Sequence, residues 1–171
     1  MELERARAIA EELKRLLEPA CEKITIAGSI RRQKPDVGDI EILAIPKFDG
    51  MVDLLDRELK WLIGTRVLEY RPTINRSIIY GPKNKLLRHI KSSIGIDVFS
   101  TTEECWAVSL VVRTGGERTN KRIAYTAMKK GWRFRAYGDG FDTPDGHIRC
   151  SSEQEVFEAV GLPYLEPQER E

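Results

Sequence analysis

The feature that most constrains the fold of this chain is the run Ala27-Gly28-Ser29-Ile30-Arg31-Arg32. It is followed, after a short polar loop, by Val37-Gly38-Asp39-Ile40-Glu41-Ile42-Leu43. The second part is a short apolar strand carrying two acids. Side chains at i and i+2 of a strand project from the same face, so Asp39 and Glu41 stand together. A strand this apolar belongs inside a sheet, where unpaired carboxylates are costly. Two of them on one face repel unless a cation or a proton lies between them. The Gly28-Ser29 turn offers backbone N–H groups and Arg31-Arg32 offers guanidinium groups, both suited to an anionic phosphate. An isolated Asp-x-Glu reads more simply as a solvated strand face, and neither Gly28-Ser29 nor Arg31-Arg32 is specific alone. Together these residues point to a site where metal ions and phosphates meet.

A third acid inside an apolar strand is Asp97, in Ile94-Gly95-Ile96-Asp97-Val98-Phe99. Taken alone it could simply pair with Arg88 or Lys91. With Asp39 and Glu41 on neighbouring strands of one sheet, it completes a set of hard oxygen donors suited to magnesium or manganese. Two such ions, bridged by acids, stabilise both the attacking and the leaving oxygen of a phosphoryl transfer.

The rest of the chain supplies a scaffold for this site. Its 171 residues suit one core with a small appended lobe. With 28 basic against 27 acidic residues the net charge is only +1, so total charge does not announce a nucleic-acid binder; its distribution says more. From Arg113 to Arg135 the basic residues Arg113, Arg118, Lys121, Arg122, Lys129, Lys130, Arg133 and Arg135 face a single acid, Glu117. Cys21, Cys105 and Cys150 show no metal or disulfide spacing, and His89 and His147 have no evident partners, which suits a reducing cytoplasm. No apolar run has transmembrane length.

Hydrophobic spacing predicts helices over 2–18 (ended by Pro19), 50–63 (a stripe of Met51, Leu54, Leu55, Leu59 and Leu62) and 103–112 (capped by Thr101 or Thr102). Two more are predicted over 120–130 and 153–160, the latter capped by Ser151 or Ser152. Strands are predicted over 23–27, 39–45, 67–70, 77–80, 85–90, 94–99, 134–137 and 147–150. The fold class is α+β. Trp61, Trp106 and Trp132 read as packing residues, with base stacking the alternative for Trp132 among its basic neighbours.

In this order, Gly28-Ser29-x-Arg31-Arg32, Gly38-Asp39-x-Glu41, Ile96-Asp97-Val98 and Thr114-Gly115-Gly116 resemble the nucleotidyltransferase palm of X-family, polymerase-beta-like DNA polymerases. The resemblance spans nearly the whole chain. It implies a palm with a mixed sheet over residues 1–102 and a C-terminal thumb or fingers lobe over 103–171. By this resemblance Asp39 and Glu41 would bind two Mg²⁺ ions, with Mn²⁺ a substitute. Asp97 would join them at the ion that activates a primer 3′-hydroxyl and assist its deprotonation. Gly28, Ser29, Arg32 and Gly38 would hold a triphosphate, and Thr114, Gly115 and Gly116 would border the sugar. Asn120 would contact the base, while Glu117, Lys121 and Arg122 would lie beside the nascent pair and the DNA.

The implied activity is addition of dNMP from dNTP to a DNA primer with release of pyrophosphate, filling short gaps in DNA repair. The implied enzyme is a monomer acting on primer–template or gapped duplex, with no membrane partner and a cytoplasmic, bacterial or virus-encoded setting. It reads as a minimal form without the lyase or phosphoesterase domains of larger members, gripping DNA weakly and in a salt-dependent way. The alternatives are a nucleotidyltransferase acting on RNA ends or a small acceptor, and a degenerate palm that only binds nucleic acid. The sequence departs from the family pattern at four places. Glu41 stands where many members have Asp, and Gly116 replaces the usual Ser. Val112 and Arg113 occupy the place of aromatic residues. Gly95 stands two residues before Asp97, where an arginine is often found, which points to a different pKa partner for Asp97.

Overall fold

Ala6, Ala10, Leu13 and Leu17 recur at helical spacing, and in the computed structural model they form the buried face of α1 (Leu3–Leu17). Glu4 in its first turn and Lys14 and Arg15 in its last complement the helix dipole. Pro19 lies in a single 3₁₀ turn, Glu18–Ala20, that ends the helix. The structure describes residues 1–171. They form two compact units, Met1–Ile30 with Lys34–Thr101, and Arg31–Gln33 with Thr102–Glu171.

The first unit is built on a five-stranded mixed sheet. Its strands are β1 (Cys21–Ile26), β2 (Asp39–Pro46), β5 (Leu68–Tyr70), β6 (Asn84–His89) and β7 (Gly95–Ser100), in the order β1-β2-β7-β6-β5. Between β1 and β2 lies the short helix α2 (Gly28–Arg31). A tight two-stranded hairpin, β3 (Phe48–Asp49) with β4 (Val52–Asp53), precedes α3 (Leu54–Gly64). β2 runs parallel to β7, while the other pairs are antiparallel. Ile40, Ile42 and Ala44 of β2 and Ile96 and Val98 of β7 are buried in one core with α1 and with Leu55, Leu59 and Leu62 of α3. Each leucine so buried contributes roughly 1.5–3 kcal/mol.

The predicted helix over 50–63 begins later, at Leu54, because Asp53 caps it: the Asp56 N–H donates to Asp53 Oδ1 at 2.9 Å. Met51, assigned to the buried stripe, is fully exposed, and Trp61 is mostly exposed rather than packed. The predicted strand over 77–80 is reduced to isolated bridges from Ile78 to Pro72 and from Tyr80 to Lys85.

The second unit comprises α4 (Trp106–Thr114), α5 (Glu117–Lys129), a three-stranded antiparallel sheet and α6 (Glu153–Ala159). The sheet strands are β8 (Arg133–Phe134), β9 (Gly140–Thr143) and β10 (Gly146–Arg149). β9 went unpredicted because its Gly/Asp-rich sequence reads as a loop. α4 starts at Trp106 without a side-chain cap, so neither Thr101 nor Thr102 serves there. Ser152 does cap α6, accepting from the Glu155 N–H at 3.1 Å. Val108, Val111, Ile123, Ala127, Phe141, Val156 and Phe157 form the core, with Trp132 packed against it. Cys21 and Cys150 are buried, and burial pushes their thiols up to about 12 and about 11, away from nucleophilic reactivity. His147 does have partners. Nδ1 meets Asp142 at 2.9 Å and Nε2 meets Asp139 at 2.7 Å, which together raise its pKa.

A buried ion group and a close approach hold the second unit. Arg31 forks onto Glu153 (2.6 and 2.9 Å) and also donates to Thr114 Oγ1 at 2.6 Å. Arg170, fully buried, donates to the same carboxylate at 2.7 Å. Burial alone would raise the Glu153 carboxyl, but the two guanidinium groups outweigh it and hold it below its ordinary value. Glu171 lies against Gly116, where a Cβ would overlap its main chain. There it accepts from the Thr119 N–H at 2.6 Å and donates its own N–H to Thr119 Oγ1 at 3.1 Å.

Glu153→Ala should therefore cost about 3–5 kcal/mol in urea unfolding, since it strands two partly or fully buried arginines. Because the native Glu153 pKa is lowered, its stabilisation should be complete above the ordinary carboxylate range and lost as pH falls through the lowered value. That pH dependence should be missing from Glu153→Gln. Gly116→Ala should cost about 1–3 kcal/mol in thermal or urea melts by displacing Glu171.

Candidate active site

The β2–β7 register decides which acids meet. Glu41 pairs with Asp97, and Asp39 pairs with Gly95. Residues directly opposite one another share a face, so Asp39, Glu41 and Asp97 project from the same side of the sheet. Both strands are interior, as the apolar sequence of β2 predicts. Asp39 lies at the exposed start of its strand, whereas the Asp97 side chain is only 16% exposed.

A fourth residue, not singled out in the sequence, enters this face. Arg71 follows β5 and precedes Pro72, which disfavours helical backbone at Arg71. It extends the strand, and its N–H donates to Leu86 O at 3.2 Å. Leu86 pairs with Asp97 on the next strand. Arg71, Leu86, Asp97 and Glu41 thus lie in one row across four strands. The Arg71 side chain crosses β6, donates from Nη1 to Asp39 Oδ1 at 2.6 Å, and makes a short hydrogen bond from Nη2 to Asp97 Oδ1. Its seat is above Gly95, where any Cβ would overlap both Arg71 Nη1 and Asp39 Oδ1. The only sequence signal for Arg71 was the missing side chain at Gly95. Arg88, closer in sequence, instead pairs with Glu69 at 2.7 Å.

Glu41 reaches back to the turn after β1. Its carboxylate lies against Gly28, which has φ +60 and whose Cβ, if present, would overlap Glu41 Oε2. The Ala27 N–H donates to Glu41 O at 2.8 Å and closes this turn onto β2. Ser29 follows in α2, half-buried, its carbonyl accepting from the Lys34 N–H at 3.0 Å. Gly38, just before β2, faces open space. In their chemistry and register the acids fit a hard divalent cation. As the side chains stand, however, no three acid, imidazole or thiol groups enclose a cation position. The Arg71 guanidinium lies between two of the carboxylates, and Glu41 leans on Gly28.

Within the second unit, Arg32 donates from Nη1 to Thr114 O through a short hydrogen bond, beside Gly115. The Gly115–Gly116 peptide bond is cis. Thr114, Gly115 and Gly116 are buried and link α4 to α5. Asn120 donates from Nδ2 to Val112 O at 2.9 Å, and its Oδ1 is buried without a partner. Glu117 and Lys121 pair one helical turn apart on the exposed face of α5, where Arg122 is also exposed. α5 begins at Glu117, so Asn120 lies in its first turn rather than opening the helix.

Residues 109–171 match the family model for the DNA polymerase beta thumb. Among solved structures, polymerase beta of Leishmania infantum in a ternary P/T complex superposes with a TM-score of 0.79 at 19% identity. That match covers 100% of this chain and 76% of the other. The same organism's polymerase beta in a ternary gap complex gives a TM-score of 0.78 at 18% identity, over 100% and 70%. No helix of this chain is long and apolar enough to cross a membrane. The C-terminal part of the chain thus resembles a DNA polymerase beta thumb, and the chain has a polymerase-beta-like fold along its whole length.

Proposed function

We propose that this chain is a metal-dependent DNA polymerase of family X that adds dNMP to a primer 3′-hydroxyl and fills short gaps in repair. The observation that carries this reading is the same-face grouping of Asp39, Glu41 and Asp97 on register-paired parallel strands of a polymerase-beta-like fold. Both solved structures above are ternary complexes of a polymerase beta, one of them with a gap.

In this reading Asp39, Glu41 and Asp97 hold two Mg²⁺ ions, with Mn²⁺ a substitute. When bound, these ions supply Lewis-acid stabilisation of charge on the attacking and leaving oxygens. Asp97 Oδ accepts the proton of the primer hydroxyl as that oxygen attacks the α-phosphorus of dNTP in line, and pyrophosphate leaves. Asp97 is the more enclosed of the two aspartates, which suits a base that must exclude bulk water. Gly28, Ser29, Arg32 and Gly38 bind the triphosphate, and Thr114, Gly115 and Gly116 border the sugar. Asn120 reads the minor-groove edge of the base, the partnerless Oδ1 being its available acceptor. Glu117, Lys121 and Arg122 meet the nascent pair and the DNA.

A one-nucleotide gapped duplex, offered each dNTP and rNTP in turn with Mg²⁺ and then Mn²⁺, tests the proposal. Extension is expected with the complementary dNTP only, and Asp97→Asn should lower its rate by a factor on the order of 10²–10⁴. Equal use of ATP on RNA ends would replace this reading with an RNA-end transferase. An unchanged activity in Asp39→Asn would remove the carboxylates from the chemistry.

A further inference from the structure

We infer that Arg71 is a positioning residue that stands in for a divalent cation between Asp39 and Asp97 and gives way when that cation is loaded. This rests on the reading of Asp39, Glu41 and Asp97 as cation ligands. One guanidinium bonds both aspartates at once, Nη1 to Asp39 Oδ1 at 2.6 Å and Nη2 to Asp97 Oδ1. Asp39 and Asp97 are two of the carboxylates that would hold the cation. The planar fork of arginine suits such a double engagement, and a lysine could not reproduce it.

The contact is built into the fold rather than left to a flexible surface side chain. Arg71 is pinned through its N–H to Leu86 O at 3.2 Å, and it stands in the same row as Asp97 with one strand between them. Strands lie about 4.8 Å apart, so the charge must travel across β6, a span of about 10 Å that two extended side chains cover. The Arg71 side chain is only 23% exposed, and the space over Gly95 is shaped to receive it. A residue bearing a Cβ at position 95 would evict the guanidinium, so Gly95 and Arg71 form one device.

Without a cation, two same-face carboxylates at interior strands would repel and be costly to desolvate. Arg71 removes that cost and keeps both aspartates aimed at the position they share. The same bonds must then be broken before an ion can use these oxygens. Charge-assisted hydrogen bonds are strong enough that their loss weakens cation binding on the order of tenfold or more. The cation-free protein is stabilised at the expense of affinity for the free ion.

The test compares wild type, Arg71→Ala, Arg71→Lys and Asp97→Asn without nucleotide or DNA. It reads melting temperature in EDTA and Mn²⁺ affinity by calorimetry or by the electron-spin signal of free Mn²⁺. Arg71→Ala should melt lower than wild type in EDTA, bind Mn²⁺ on the order of tenfold more tightly, and gain more melting temperature from Mn²⁺. Arg71→Lys should fall between them and guards against a folding defect in the alanine variant. If wild type binds Mn²⁺, Asp97→Asn abolishes that binding, and neither Arg71 variant binds more tightly, the role of Arg71 is overturned while the cation site stands. If neither wild type nor Arg71→Ala binds Mn²⁺ better than Asp97→Asn, the cation reading fails and the role of Arg71 falls with it.

Discussion

The parallel pairing of β2 with β7 is the contact on which the candidate chemistry depends. Its register sets Glu41 opposite Asp97 and Asp39 opposite Gly95. A slip of one residue would turn one strand's acids to the opposite face, because side chains alternate at every step. The apolar partners on the other face, Ile40, Ile42, Ala44, Ile96 and Val98, make such a slip expensive. The core thus fixes the acids in place without touching them. The ladder also explains how an acid-bearing strand can lie inside a sheet: Arg71 supplies a counter-charge on its polar face.

The two arginines after the Gly-Ser turn have separate fates although they are adjacent in sequence. Arg31 is bound to Glu153 in a group that also holds buried Arg170. Arg32 instead reaches the Thr114 carbonyl. The first serves the packing of the second unit, and the second remains the candidate for triphosphate. Arg31 closes α2 and Arg32 lies in the turn that follows it, so a paired motif need not act as a pair. Gly116 has an equally local explanation. It stands at a position where Glu171 packs against it and leaves no room for a side chain.

Much of the first unit was legible because its signals are short-range. Ala6, Ala10, Leu13 and Leu17 announce α1, Pro19 ends it, and Pro46 closes β2. The misses were also physical. Met51 fits a helical stripe by spacing, yet Asp53 supplies a capping carboxylate and starts α3 after it. β9 is held by its two neighbours, and its four residues, two of them the strand-disfavouring Gly140 and Asp142, are too few to read as a strand alone. His147 lies eight residues from Asp139 and five from Asp142, and only the β9–β10 hairpin folds it between them.

The sequence by itself determined that Asp39 and Glu41 share a face, since the two-residue period of a strand is a local property. It also carried the ordered Gly-Ser, Asp-x-Glu, Asp97 and Thr-Gly-Gly pattern from which the polymerase-beta-like fold was read. Tertiary structure alone decided that Asp97 stands opposite Glu41 and that Arg71, 26 residues before Asp97, fills the gap left by Gly95. The physical reason is that register between distant strands is set by the pairing of whole strands and by the core beneath them. A single arginine far away in the chain says nothing of its destination until that pairing exists.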